Sequence, residues 1–189
     1  LQDLGRLIAG KGITRRPQFD DVLKYQLRSR LKPAPDATHT YWQDHLKDIR
    51  PAKFPRLLTK QVLRSGRQAC TRAFTLNLDD LTPTCRKLLV SRQSVVSAAF
   101  AILLSSYVGD PDVVFGAVSS GRAMPVQGID RIIGPCINTF PMRLNVSRMR
   151  TVGDVILSTH RQYHSFLRFD DINLADIKTL SGIAGADSL

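Results

Sequence analysis

The stretch Asp112–Val146 reads DVVFGAVSSGRAMPVQGIDRIIGPCINTFPMRLNV. Its first residues, Val113–Val118, form an apolar run bounded by Asp110-Pro111 before and Ser119-Ser120-Gly121 after. That is the pattern of a buried strand. A loop follows with Gly121, Pro125, Gly128, Gly134 and Pro135, and a second extended run, Asn138–Val146, closes the stretch. Two strands joined by a long, glycine-punctuated loop are an odd device for stability alone. Loops of this length in compact domains are usually functional or disordered, so the connection 119–137 is where function is sought first.

Upstream, Val95–Val108 (VVSAAFAILLSSYV) is apolar nearly all round and predicts a central helix packed on more than one side, ended by Gly109. Before it, Asp79 is placed to cap a helix through about Val90, with Pro83 in its first turn and Leu81, Cys85, Leu88 and Leu89 inward. Residues Ala69–Leu78 alternate as a strand, and 50–68, with Pro51 and Pro55, predict a surface loop. Trp42, the only tryptophan, lies in a helix predicted over Thr40–Asp48, capped by Asp36 or Thr38, and is expected to anchor the core. Phe19, Val22, Leu23, Leu27 and Leu31 make one stripe of a helix opened by Pro17. Leu1, Leu4, Leu7 and Ile8 make another, ended by Gly10 and Gly12. Downstream, Thr151 caps a helix with Val152, Val155, Ile156 and Tyr163 inward, and Ile172–Leu180 forms a short last helix. No internal repeat or low-complexity segment occurs.

With 189 residues, 43% hydrophobic, the chain can bury a core as one domain. No apolar run reaches the roughly 18 residues of a membrane span. The start, LQDLGRLIAGKG, lacks an initiator Met and a signal peptide, and the chain is expected to begin inside a longer polypeptide. Cys70, Cys85 and Cys136 are odd in number and scattered, which suits buried free thiols, a reducing compartment and a cytoplasmic location. The net charge of +11 is lopsided: residues 1–72 hold 16 Lys and Arg against 6 Asp, whereas 73–189 hold 11 against 10. Such a surface attracts acidic proteins or nucleic acid, or is simply a solvated or covered face. No binding motif or aromatic-basic interleaving supports nucleic acid. His160 and His164 stand four apart, a metal-ligand spacing, but no third ligand is in frame and no metal is expected. His39 and His45 have no partner at ligand spacing.

The order DVVFG, SGR, GID, IGPCINT and FPMR resembles the condensation domain of nonribosomal peptide synthetases. The wording GPCINT is closest to fungal synthetases, including those that make siderophores. Tyr41-Trp42 followed by Leu46 resembles the family's YWxxxL, and VVSAAFAILLSSYVGDPDVVFG resembles the family's helix-strand run. The family's catalytic signature, HHxxxDG, does not occur in the sequence.

The resemblance implies an α/β chain, the C-terminal lobe of a two-lobed fold like chloramphenicol acetyltransferase, with a mixed sheet and flanking helices. Residues 1–68 would lead out of a missing N-terminal lobe, 69–189 would form the C-terminal lobe, and 119–137 would be the floor loop. The implied activity is amide formation between acyl and amino substrates tethered to carrier proteins, in a parent synthetase, with this fragment alone inactive. Implied partners are upstream and downstream peptidyl carrier proteins with their 4'-phosphopantetheine arms, the missing lobe, and an adjacent adenylation domain. No cofactor is bound directly.

No catalytic histidine lies in this chain, and Asn138 is the supporting candidate: its amide can donate near a tetrahedral intermediate, or hydrogen-bond loop backbone with Thr139. Ser119, Ser120, Gly121, Gly134, Cys136, Ile137 and Thr139 are expected along the tunnel and floor loop, with Val118 and Phe140 beside them. Arg122 is expected to pair with the aspartate of the missing signature. Arg143 reads as a strand-face or packing cation. A degenerate domain that docks carriers without catalysis is the alternative.

Overall fold

The computed structural model describes residues 2–12, 17–31, 36–50, 77–169 and 172–181. In chain order its helices are α1 (Gln2–Ile8), α2 (Phe19–Leu31), α3 (Asp36–Leu46), α4 (Thr82–Leu88), α5 (Arg92–Val108), α6 (Val152–Phe166) and α7 (Leu174–Leu180). Between α5 and α6 stands the predicted hairpin. Strand β1 (Asp112–Ser119) runs antiparallel to β2 (Asn138–Asn145), with Asp112 opposite Asn145 and Ser119 opposite Asn138.

Side chains alternate along a strand, so the pairs Val113–Leu144, Phe115–Met142 and Ala117–Phe140 share one face. Val113, Ala117, Phe140, Met142 and Leu144 are buried there, under α5 and α6. Among the described residues no third strand joins the outer edge of β2, and its polar groups are met in other ways. Arg143 sends its N–H to Gln162 Oε1 at 3.2 Å and accepts at its carbonyl from Gln162 Nε2. Thr139 N–H goes to Asn138 Oδ1 at 2.9 Å, and Pro141 has no N–H to satisfy. Such spending of edge groups blocks unwanted pairing. The mixed sheet expected from the resemblance is, among the described residues, this antiparallel pair.

Trp42 and Leu46 of α3 pack with Phe140, Phe166, Ile172 and Ile177 in the main core. The Phe140 and Phe166 rings stack at 3.6 Å, and Trp42 Nε1 donates to the Phe169 carbonyl at 3.3 Å. Trp42 is therefore the core anchor expected, with its one polar atom satisfied.

Several boundaries differ from expectation for local reasons. Helix α3 is already formed at Asp36, ahead of the expected Thr40, and Asp36 lies in its first turn, where an acid complements the helix dipole. Asn77, not Asp79, caps the segment before α4: its side chain accepts the Asp79 N–H at 3.1 Å, and a 3-10 turn at Leu78–Leu81 precedes the helix. Asp79 instead pairs with Arg92 at 2.9 Å. The expected strand 69–78 lies outside the described residues except at its end, where Leu78 sits in that turn. The proposed 68/69 boundary, the loop after Arg50, and Cys70 also fall outside them.

Helix α5 starts at Arg92, a turn earlier than Val95, because Ser91 caps it by accepting the Ser94 N–H at 3.1 Å. It ends where expected, with Gly109 in the left-handed region at φ 67°. Its burial is one-sided. Ser94, Ala98, Ala101 and Leu104 are buried, whereas Val96, Phe100, Leu103 and Tyr107 are exposed. Thr151 and Asp154 form the capping box of α6, which buries Val155, Ile156, Thr159 and Phe166 but leaves Val152 exposed in its first turn. Helix α7 begins after Asn173, whose side chain accepts the Asp176 N–H. In α1 the expected stripe of Leu4, Leu7 and Ile8 is exposed, and in α2 only Val22 and Phe19 of the stripe pack inward. Among the described residues no single helix is long and apolar enough to cross a membrane.

Candidate functional site: the loop between the strands

The loop is a packed structure. Ile129, Ile132 and Cys136 bury themselves against Val22 of α2, with Phe19, Met124 and Val126 around them. Two glycines make this closeness possible. Gly121 has φ 63°, and a Cβ there would lie 1.7 Å from the Cys136 carbonyl oxygen. At Gly134 a Cβ would fall 2.3 Å from the Phe19 ring. Arg122 then staples the loop from inside, donating to the carbonyls of Ile129 and Ile132, the latter at 3.2 Å. The loop's middle is a 3-10 turn, Ile129–Arg131. A cleft of about 620 Å³ separates the start of α2 from the loop and is lined by Pro17, Asp20, Lys24, Val126 and Gln127 among others.

The residues expected at the site fall into three groups. Ser119, Gly121 and Cys136 are buried. The Ser119 hydroxyl accepts the Gly121 N–H at 3.1 Å, and the Cys136 N–H goes to the Gly134 carbonyl at 3.0 Å. These residues belong to the loop's own packing. Ser120 and Ile137 are exposed, Ile137 at 64%. Asn138 and Thr139 are half-buried where the loop returns to β2, and Gly134 is half-buried beneath Phe19. The hydrogen bond from Thr139 N–H engages Asn138 Oδ1 and so orients the amide, leaving Nδ2 as its donor. The Arg122 guanidinium is committed to loop carbonyls in this structure.

At the far end of the hairpin, Arg143 is more than a strand-face cation. Its Nε and Nη2 grip Asp112 at 3.0 and 2.6 Å, and its Nη1 donates to the carbonyls of His45 at 3.1 Å and Lys47 at 2.6 Å. The bond to Asp112 raises the Arg143 pKa above its already high ordinary value. Burial, then the charge of Arg143, pushes His45 down to about 4. His45 is thus a neutral structural ring, stacked on Tyr41. His160 meets the buried Ser94 hydroxyl through Nδ1 at 3.1 Å, and its pKa is lowered by burial and then by His164. Among the described residues no group of three or more His, Cys or Asp could hold a metal ion. Sequence reasoning missed Phe19 and Pro17 as the loop's seat, and missed the Arg143–Gln162 clasp. A Pro two residues before an aromatic at a helix start was the only signal for the first. Asp112 and Arg143 near one end of a predicted hairpin was the signal for the second.

Solved condensation domains share this architecture. The first condensation domain of the CDA synthetase matches 96% of the chain with a TM-score of 0.70 at 17% identity, and the X-domain from teicoplanin biosynthesis matches 97% with 0.71 at 23%. The chain covers 40% and 43% of those two structures. The fold is therefore the α/β fold of condensation domains. The sequence matches the condensation domain family over residues 10–188, and the chain belongs to that family. Two similar curated proteins are fungal. Nonribosomal peptide synthetase sidC of Arthroderma benhamiae is 34% identical over all 189 residues, and nonribosomal peptide synthetase 2 of Cochliobolus heterostrophus is 32% identical over 177. The chain spans only 4% and 3% of their lengths.

Proposed function

We propose that this chain supplies one wall of the active site of a condensation domain that forms an amide in a fungal peptide synthetase. The observation that carries this reading is the loop. Residues 120–137 are pinned to α2 by Val22 and Phe19 and stapled by Arg122, yet leave Ile137 exposed and Asn138 and Thr139 half-buried at the exit. A rigid, partly apolar surface with an oriented amide is what a preorganised site requires.

In the reaction, the amine of one carrier-bound substrate attacks the thioester carbonyl carbon of the other. The C–N bond forms, the C–S bond breaks, and the amine's proton passes through a base to the departing thiolate, which leaves as the thiol. Both substrates arrive on 4'-phosphopantetheine arms of peptidyl carrier proteins. The base or orienting imidazole belongs to an HHxxxDG motif on an N-terminal lobe, with these residues forming the C-terminal lobe from about 69 onward. Of the histidines here, His45 is held neutral in packing and His160 is tied to Ser94. Ile137, Thr139 and Ser120 would face the tunnel, Ser119, Gly121, Gly134 and Cys136 would shape its floor, and the Asn138 Nδ2 would donate toward the developing oxyanion. Arg122 would hold the signature's aspartate once that lobe is in place. An adjacent adenylation domain would load the carrier, in the cytoplasm.

The test is amide formation from two loaded carriers, followed by mass spectrometry. A domain that includes the HHxxxDG region should give product, and the 189 residues alone should give none. Product from the 189 residues would refute the need for the signature. Carrier binding by the whole domain with no amide would mean a docking domain instead.

A further inference from the structure

We propose that the C-terminal end of α4, formed by Arg86, Lys87 and Leu89, is a docking surface for an acidic protein with an apolar socket. This rests on the condensation reading, under which that protein is a carrier protein.

Leu89 is the C-cap of α4, with φ 54° and ψ 42°. That left-handed position suits Gly or Asn, and a side chain there is strained. Burial offers no offset, because Leu89 is 83% exposed. Its neighbours already anchor the helix end: Val90 is buried with Ala98 and Val155, and Leu88 packs against them. A large apolar side chain on a strained backbone that joins no apolar cluster among the described residues makes physical sense when a partner covers it. The rim fits one kind of partner. Arg86 and Lys87 are exposed and make no ion pair among the described residues, whereas Arg92 close by is tied to Asp79. The helix dipole accounts for cations at this end but not for Leu89. An apolar anchor rimmed by unpaired cations complements an acidic surface with an apolar socket. The surface also stands near the loop. In the first turn of α5, Gln93 Nε2 donates to the Val118 carbonyl at 3.1 Å, at the loop end of β1.

The experiment uses the whole condensation domain of the parent chain and its cognate carriers. Leu89→Gly should leave the thermal midpoint equal or slightly higher, because strain is relieved. It should also raise the KM for one carrier about tenfold with little change in kcat, as loss of an anchor does. The double change R86D/K87D should raise the same KM and flatten its dependence on salt. A midpoint lowered by several degrees in Leu89→Gly would overturn the proposal, because it would show that Leu89 packs against another part of the domain. An unchanged KM would overturn it too. If the wild-type domain makes no amide, the condensation reading fails, and titration of a fluorescent carrier still decides the docking surface through the Kd of wild type against Leu89→Gly.

Discussion

Beneath the hairpin, Trp42, Phe140, Met142, Leu144 and Phe166 fill a core with large side chains that are each 1% exposed or less. At the loop, the packed residues are few, and closeness comes from backbone: a glycine against a carbonyl, a glycine under a ring, and one guanidinium on two carbonyls. The first region is stabilised by area removed from water. The second is held by fit, and a methyl group in the wrong place disturbs it more than the loss of one would. The difference teaches that emptying a site under the hairpin should be read in global stability, whereas filling space in the loop should be read in local order and function.

The comparison breaks most visibly at the core. Trp42→Ala or Phe140→Ala should cost about 3–5 kcal/mol by urea unfolding, the cost of emptying an aromatic site. A cost near zero would mean the hairpin is held by something else. Next is pH. The folded-state pKa of His45, about 4, lies below the ordinary value of 6.5. The folded form therefore binds fewer protons between those values. The stabilisation is full above about pH 6.5 and is lost as pH falls toward 4, a change on the order of 3 kcal/mol. Urea midpoints at pH 7 and 4.5 should show it, and His45→Gln should flatten it.

Third, Gly134→Ala puts a methyl group into the Phe19 ring and should cost about 1–3 kcal/mol as overpacking. Fast hydrogen exchange should then appear in 122–136 and not in β1. Exchange rising equally in both strands would erase the distinction between the regions. Smallest is Thr151→Ala, which removes the α6 cap and should cost about 1 kcal/mol, measured as a shift in thermal midpoint.

Much of this was legible in the sequence because it is local. The strand at Val113–Val118, one residue short of β1 at each end, the start of β2 at Asn138, the cap at Thr151, the stop at Gly109 and the core role of Trp42 all follow from periodicity and turn chemistry. What failed was non-local. The apolar circumference of α5 could not say that Phe100 and Tyr107 would be left exposed, since that depends on what packs beside it. The stripe of α2 could not say that only Val22 and Phe19 would meet the loop. For the site, the sequence pointed to the loop and to Asn138. It anticipated a buried thiol at Cys136 but did not reveal that Ser119 turns inward, because loop residues have no period from which a facing direction can be read. Gln162 closing a strand edge across 19 positions of sequence is a contact with no local signature.

The most direct measurement is the rate of amide formation by the whole condensation domain carrying Gly121→Ala, with near-ultraviolet circular dichroism of Trp42 as the control for the core. The account predicts a native Trp42 signal and unchanged carrier binding, with amide formation reduced at least about tenfold, since a small misplacement in a preorganised site costs that much or more. A wild-type rate with the methyl group in place would contradict it, because the loop geometry at Cys136 would then have no part in the chemistry.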